Sequence, residues 1–159
     1  ARSNPLRTNL FEVRGITVIV DYAHNPAAYA SLAETARAMA QGALVGVVTS
    51  PGDRRDEELD HTGRVCGEGF DKLVVYESAS RGRPYGEAAA LIRRGALATC
   101  ADPSTVEGVD DRVLALRRAF ALCSPGDVLA YCGTSVGALV EALQAIDPES
   151  AQGIASRAG

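Results

Sequence analysis

The sequence holds no apolar run long enough to cross a bilayer; stretches such as ALVGVV fall far short of the roughly 18 to 20 residues that a span needs. No basic start leads into an apolar h-region, so no signal peptide is expected and the cytoplasm is the expected compartment. Basic runs are also missing, and a formal net charge of −4 argues against a dedicated nucleic-acid binder. The cysteines Cys66, Cys100, Cys123 and Cys132 show no CxxC spacing and lie in or beside apolar segments. They read as reduced core residues, because only His24 and His61 could join them around zinc and neither stands at ligand spacing from a cysteine. No repeat or low-complexity block occurs. The chain opens on Ala1 without a methionine, which leads to the expectation of a piece cut from a larger protein.

What is present suits one domain with a real core: 159 residues, 47% hydrophobic and 23% charged. Short β-branched runs alternate with longer amphipathic stretches, and that alternation predicts repeated βαβ units. LFEVRGITVIVDY reads as two strands around the tight turn Arg14-Gly15, the first an antiparallel edge. A helix is predicted from about Pro26 to Ala40, followed by strand ALVGVVT and helix RRDEELDHTGRVCGEGF. Strand KLVVYE, helix YGEAAALIRRGAL, a short strand near STVEGV, helix DDRVLALRRAFALC, strand DVLAYC and helix SVGALVEALQAI complete the series. The predicted fold is a doubly wound, mostly parallel, Rossmann-like α/β sheet with an antiparallel edge strand and helices on both faces. The domain is expected over residues 1–147, and the small, polar stretch 148–159 as a flexible tail.

In such a sheet ligands bind beyond the carboxyl ends of the strands, so function is sought in the loops DYAHNP, SPGDRRD, SASRGRP and CGTS. Asn25 and Pro26 make a good N-cap and N1 pair, since Asn accepts from free amides and Pro lacks the donor that would be wasted there. That leaves Asp21 and His24, a carboxylate and an imidazole beside a positive helix terminus, a grouping suited to sugar hydroxyls and anions. In the second loop Asp53 reads as the cap of a helix whose first turn carries Arg54 and Arg55, where the macrodipole disfavours cations. Pairing with Asp56, Glu57 and Glu58 would offset this, and so would a phosphate held by a guanidinium fork; physics alone leaves both open. Arg81 and Arg83 put two further guanidinium groups on the same edge, or on a solvated loop. Gly133 permits close backbone approach, and Thr134 or Ser135 can cap the last predicted helix.

These residues resemble a known family. NLFEV followed by VIVDYAHNPAA and GDRRDEE is similar to the C-terminal domain of the Mur ligase family, with the cyanophycin synthetase branch closest. The resemblance runs from about Asn9 to about Leu143 and is strong again at RGRPYGE. It implies an ATP-dependent amide-bond ligase in which a carboxylate is phosphorylated and an incoming amine displaces phosphate. It further implies that Asp21 accepts from ribose hydroxyls, that His24 and Asn25 lie near the nucleotide, and that Arg54 approaches the terminal phosphate. Arg81 and Arg83 would stand near the incoming amino acid or peptide substrate.

The P-loop of that family belongs to a central domain, and no G-x-x-x-x-G-K-[ST] pattern occurs in this chain. The expected partner is therefore a central P-loop ATPase domain that holds most of the Mg2+, with domain closure completing the active site. No metal site is expected in this chain itself, and no nucleic acid or membrane partner. The isolated chain is expected to be inactive. The amino acid stays open: cyanophycin synthetases attach arginine to aspartate side chains, and an arginine calls for carboxylates, of which ESASRGR has only Glu77. A peptidoglycan-precursor ligase and a folylpolyglutamate-type ligase are alternatives within the family. A non-catalytic Rossmann-like module that binds a nucleotide or anion is the alternative outside it.

Overall fold

A computed structural model describes residues 10–133 and 135–158, so Asn9 and the possible cap Thr134 lie outside the described residues. Strand β1 (Leu10–Val13) turns into β2 (Ile16–Asp21) through Arg14 and Gly15, both at positive φ (51° and 80°) as a two-residue hairpin loop requires. The pair is antiparallel, with Val13 opposite Ile16. Strands β3 (Leu44–Val48), β4 (Lys72–Tyr76), β5 (Val106–Val109) and β6 (Val128–Cys132) continue the sheet in parallel, in the order β1-β2-β6-β3-β4-β5. Every residue of β3 and β6 is buried, which is why both read as unbroken apolar runs.

Helices α1 (Pro26–Met39), α2 (Asp56–Gly69) and α3 (Glu87–Thr99) cover one face, where Ile19, Val48 and Val75 point. Helices α4 (Arg112–Leu122), α5 (Val136–Gln144) and α6 (Pro148–Ala158) cover the other, packing on Val18, Val20 and Val47. The doubly wound architecture and the antiparallel edge are as predicted. All four cysteines are free; Cys66 and Cys132 lie fully in the core and Cys100 and Cys123 half-buried. No helix among the described residues is long and apolar enough to cross a membrane.

The end of the chain corrects the expectation of a flexible tail over 148–159. Residues 148–158 form α6, and Ala151 and Ile154, three apart on one face, are buried against the sheet. Asp147 accepts from Ser150 at the start of this helix, and Arg157 stacks its guanidinium 4.5 Å from the Phe11 ring centroid and donates to the Leu10 carbonyl. One isoleucine and one alanine make a faint apolar stripe among polar residues, which is why composition hid it.

Helices α2 and α3 pack through glycine. A Cβ at Gly63 would overlap the Ile92 carbonyl, and one at Gly95 would overlap that of Asp60, so the two backbones touch directly. At the amino ends of the strands, carboxylates are fully used. Asp127 accepts from the Ala43 and Ser124 amides, and Asp71 accepts from Leu44 and pairs with Arg37. The carboxyl ends differ in charge and in free capacity, and the site lies there.

Candidate functional site

At the carboxyl edge a cavity of about 410 Å3 opens between the loops after β2, β3, β4 and β6. The central part of the sheet supplies its floor. Tyr76 donates to the Cys132 carbonyl (2.7 Å), and Tyr29 donates to the Thr49 carbonyl (2.6 Å) while accepting from the Thr49 amide. Thr49 Oγ1 donates to Ser78 Oγ at 3.0 Å, tying the ends of β3 and β4 together. Burial pushes the Tyr76, Tyr29 and Cys132 protons far up, so the floor is uncharged at neutral pH.

Of the residues singled out in the sequence, His24, Arg54 and Arg81 line this cavity. His24 is set by the turn that Asp21 builds: Asp21 Oδ1 accepts from the Ala23 amide, and the Asp21 carbonyl accepts from Gly133. Ser50 then donates to the His24 carbonyl, joining this loop to the next. His24 Nδ1 stands 2.7 Å from the Tyr22 carbonyl, which can only accept; Nδ1 therefore carries the proton and Nε2 faces outward. Asp21 itself sits half-buried at the strand end next to the cavity wall formed by Tyr22 and Ala23. Asn25 is placed elsewhere. Its side chain caps α1 through the Ala28 amide (2.9 Å), and it borders a separate groove between α1 and α2 together with Arg55 and His61.

The second loop departs from the sequence reading. Helix α2 begins at Asp56, with Arg55 at the N-cap and no side-chain cap, so Asp53 does not cap it and the arginines precede it. Its first turn holds Asp56, Glu57 and Glu58, which complement the macrodipole. Asp53 instead bridges the two cavity arginines, accepting from Arg54 and from Arg81 at 3.0 Å each, and Arg54 also pairs with Glu58 at 3.4 Å. The Arg81 hydrogen bond, with Arg54 adding to it, holds the Asp53 carboxyl below the usual carboxylate range. Arg81 adopts positive φ (48°) in the loop from which it donates to Asp53.

Arg83 does not enter the cavity. Its guanidinium donates to the Gly52 carbonyl (2.7 Å) and the Arg54 carbonyl (2.6 Å) and pairs with Asp56 and Glu87, leaving the side chain 15% exposed. Those carboxylates raise its pKa further. Arg83 is thus the staple that gives the Arg54 loop its shape. Glu77 is also committed, accepting from Ser80 and from the Ala89 amide at the start of α3. Two cavity residues escaped sequence reading: Tyr76, and Arg112 at the first position of α4, whose guanidinium lies 5.9 Å from the Tyr76 ring centroid. A cation opening a helix with no acidic residue in its first turn was the available signal for Arg112.

The chain is a Rossmann-like domain, and its carboxyl edge carries a cationic rim over a neutral floor, a charge pattern that suits an anionic ligand. Among the described residues no three His, Cys, Asp or Glu side chains converge to hold a metal ion. The family model described as "Mur ligase, glutamate ligase domain" matches residues 6–135, and the chain belongs to the Mur ligase family. Cyanophycin synthetase of Trichormus variabilis is 34% identical over 141 residues, covering 88% of this chain and 16% of that protein. The chain thus spans only a small part of the length of such relatives. Among solved structures, a UDP-N-acetylmuramoyl-L-alanyl-D-glutamate–2,6-diaminopimelate ligase superposes with a TM-score of 0.74 at 19% identity, over 88% of this chain and 31% of that one. A bifunctional folylpolyglutamate synthase/dihydrofolate synthase from Yersinia pestis, complexed with AMPPNP and a manganese ion, superposes at 0.61 with 22% identity, over 91% and 32%.

Proposed function

We propose that this chain is the C-terminal domain of an ATP-dependent, cyanophycin synthetase-like amide-bond ligase, which helps to bind ATP and the incoming amino acid and completes the active site when it closes on a central P-loop domain. The observation that supports this best is the shared cavity: His24, Arg54 and Arg81 come from loops far apart in sequence and meet over one floor. Ligation of this class activates a carboxylate as an acyl phosphate, and an amine attacks it and releases phosphate. The chain's part is positioning and charge stabilisation, the terms that dominate phosphoryl transfer.

In this reading Arg54 faces the terminal phosphate, aimed by Asp53 and Glu58 and held at its backbone by Arg83. Arg81 supplies the second positive group near the acceptor, and His24 presents Nε2 to the nucleotide. Asp21 offers ribose hydroxyls the oxygen that its own turn does not use. The Arg54 and Arg81 guanidinium groups, joined through Asp53, give the cavity a positive edge that suits a polyphosphate. Mg2+ would be held mainly by the central domain, whose P-loop this chain does not contain.

The test is phosphate release by the full-length parent, supplied with ATP, Mg2+ and each amino acid in turn. Arg54→Ala should lower kcat by about 100-fold or more while the melting temperature stays put. An unchanged kcat removes the phosphate role. A parent without any P-loop domain, in the same frame or a neighbouring gene, would leave the non-catalytic binding module as the better reading.

A further inference from the structure

A second cavity, of about 530 Å3, adjoins the first and shares Ser78 and Arg112 with it. Its volume lies within the ordinary range for small-molecule sites, about 300–1,000 Å3. Its wall carries the carboxylates of Glu77, Asp111 and Glu141, and among the described residues Arg112 is the one cation lining it. Arg54 and Arg81 do not reach it.

Arg112 is placed at an electrostatic disadvantage. It opens α4, at the positive end of the macrodipole, and no acidic residue follows in the first turn. The neighbouring Asp111 carboxylate accepts from the Leu114 amide, and among the described residues Arg112 takes part in no ion pair. Its guanidinium instead rests 5.9 Å from the Tyr76 ring centroid, and the residue lines both cavities. Arg54 and Arg81 share the Asp53 carboxylate, whereas no carboxylate among the described residues pairs with Arg112.

We propose that Arg112 binds the α-carboxylate of the incoming amino acid, whose remaining part occupies the second cavity. This rests on the ligase reading above. A planar guanidinium fork matches a carboxylate in two parallel hydrogen bonds. A polyphosphate entering the second cavity meets three carboxylates and one cation, so that cavity repels it. An amino acid with its carboxylate at Arg112 presents its side chain to the second cavity, where the three carboxylates favour a neutral or cationic group, and its amine, deprotonated for attack, to the activated carboxyl in the first.

The experiment uses the full-length parent and the amino acid that supports its phosphate release, compared with the α-carboxamide of that amino acid. Arg112→Ala should raise KM for the amino acid by about 10- to 100-fold, with KM for ATP unchanged. The carboxamide should be a poor substrate for the wild type and no poorer for the variant, and Arg112→Lys should recover part of the loss. Should Arg112→Ala fail to fold, Arg112→Gln, which keeps an unbranched polar side chain without the charge, carries the same comparison. Equal losses for acid and carboxamide, a raised KM for ATP, or no change at all would overturn the assignment while leaving the ligase reading intact. A wild-type parent that releases no phosphate with any amino acid removes that reading, and this inference with it.

Discussion

Arg83 shows how one side chain can decide what its neighbours do. Its hydrogen bonds to the Gly52 and Arg54 carbonyls span about thirty residues of sequence and keep the loop from continuing α2 backward. That is why the helix begins at Asp56 and why Asp53 is free to bridge Arg54 and Arg81. Nothing local in SPGDRRD encodes this, and a cap at Asp53 is what local propensity favours. Arg83→Ala leaves two carbonyls without their donor; it should cost about 1–2 kcal/mol in chemical unfolding and lower kcat in the parent through a misplaced Arg54. A variant that loses stability but keeps kcat would separate the staple from the site. His24, Arg54 and Arg81 were legible because their residue types are costly or unusual where they stand. Arg112 and Tyr76 were not singled out, since the cavity joins them to the rim only after β4 and α4 have come together.

Among the elements, the βαβ succession was readable because period and punctuation are local properties. The contact between α2 and α3 was half readable. Glycine in a helix interior costs about 1 kcal/mol relative to alanine, so Gly63, Gly67 and Gly95 in two successive helices mark something that repays it. What repays it is backbone contact, with the Ile92 and Asp60 carbonyls where side chains would otherwise be. Gly63→Ala should therefore destabilise by about 1–3 kcal/mol despite its better helix propensity, measured by urea unfolding. A neutral or stabilising outcome would mean that the helices can slide apart freely. Helix α6 was not readable, because Ala151 and Ile154 give too weak a stripe until β1 and α5 supply the surface they cover.

For the molecule as a whole, acid is the weak side. Asp53, Asp60 and Asp147 are held below the usual carboxylate range by hydrogen bonds from Arg81, Arg64 and Ser150 respectively. At Asp71 burial pushes upward, but the Arg37 hydrogen bond and the Leu44 amide more than offset it. Each folded pKa lies below the unfolded value of about 3.9, so the stability they add is present above that pH and is lost as pH falls through the folded values. Asp71→Asn should destabilise at pH 7, and its gap from the wild type should narrow toward pH 3 in thermal unfolding. A constant gap would mean that ionisation of Asp71 is irrelevant. Strand order was beyond sequence reading, since it is a fact about distant partners: β6 lies between β2 and β3. The seam of the sheet is filled by the strand that leaves the ribosome last, so the two halves of the rim stay apart until Val128–Cys132 has emerged. A nascent chain cannot assemble the cavity early, and a product cut short of Cys132 carries His24, Arg54 and Arg81 without the strand that seats their loops beside one another.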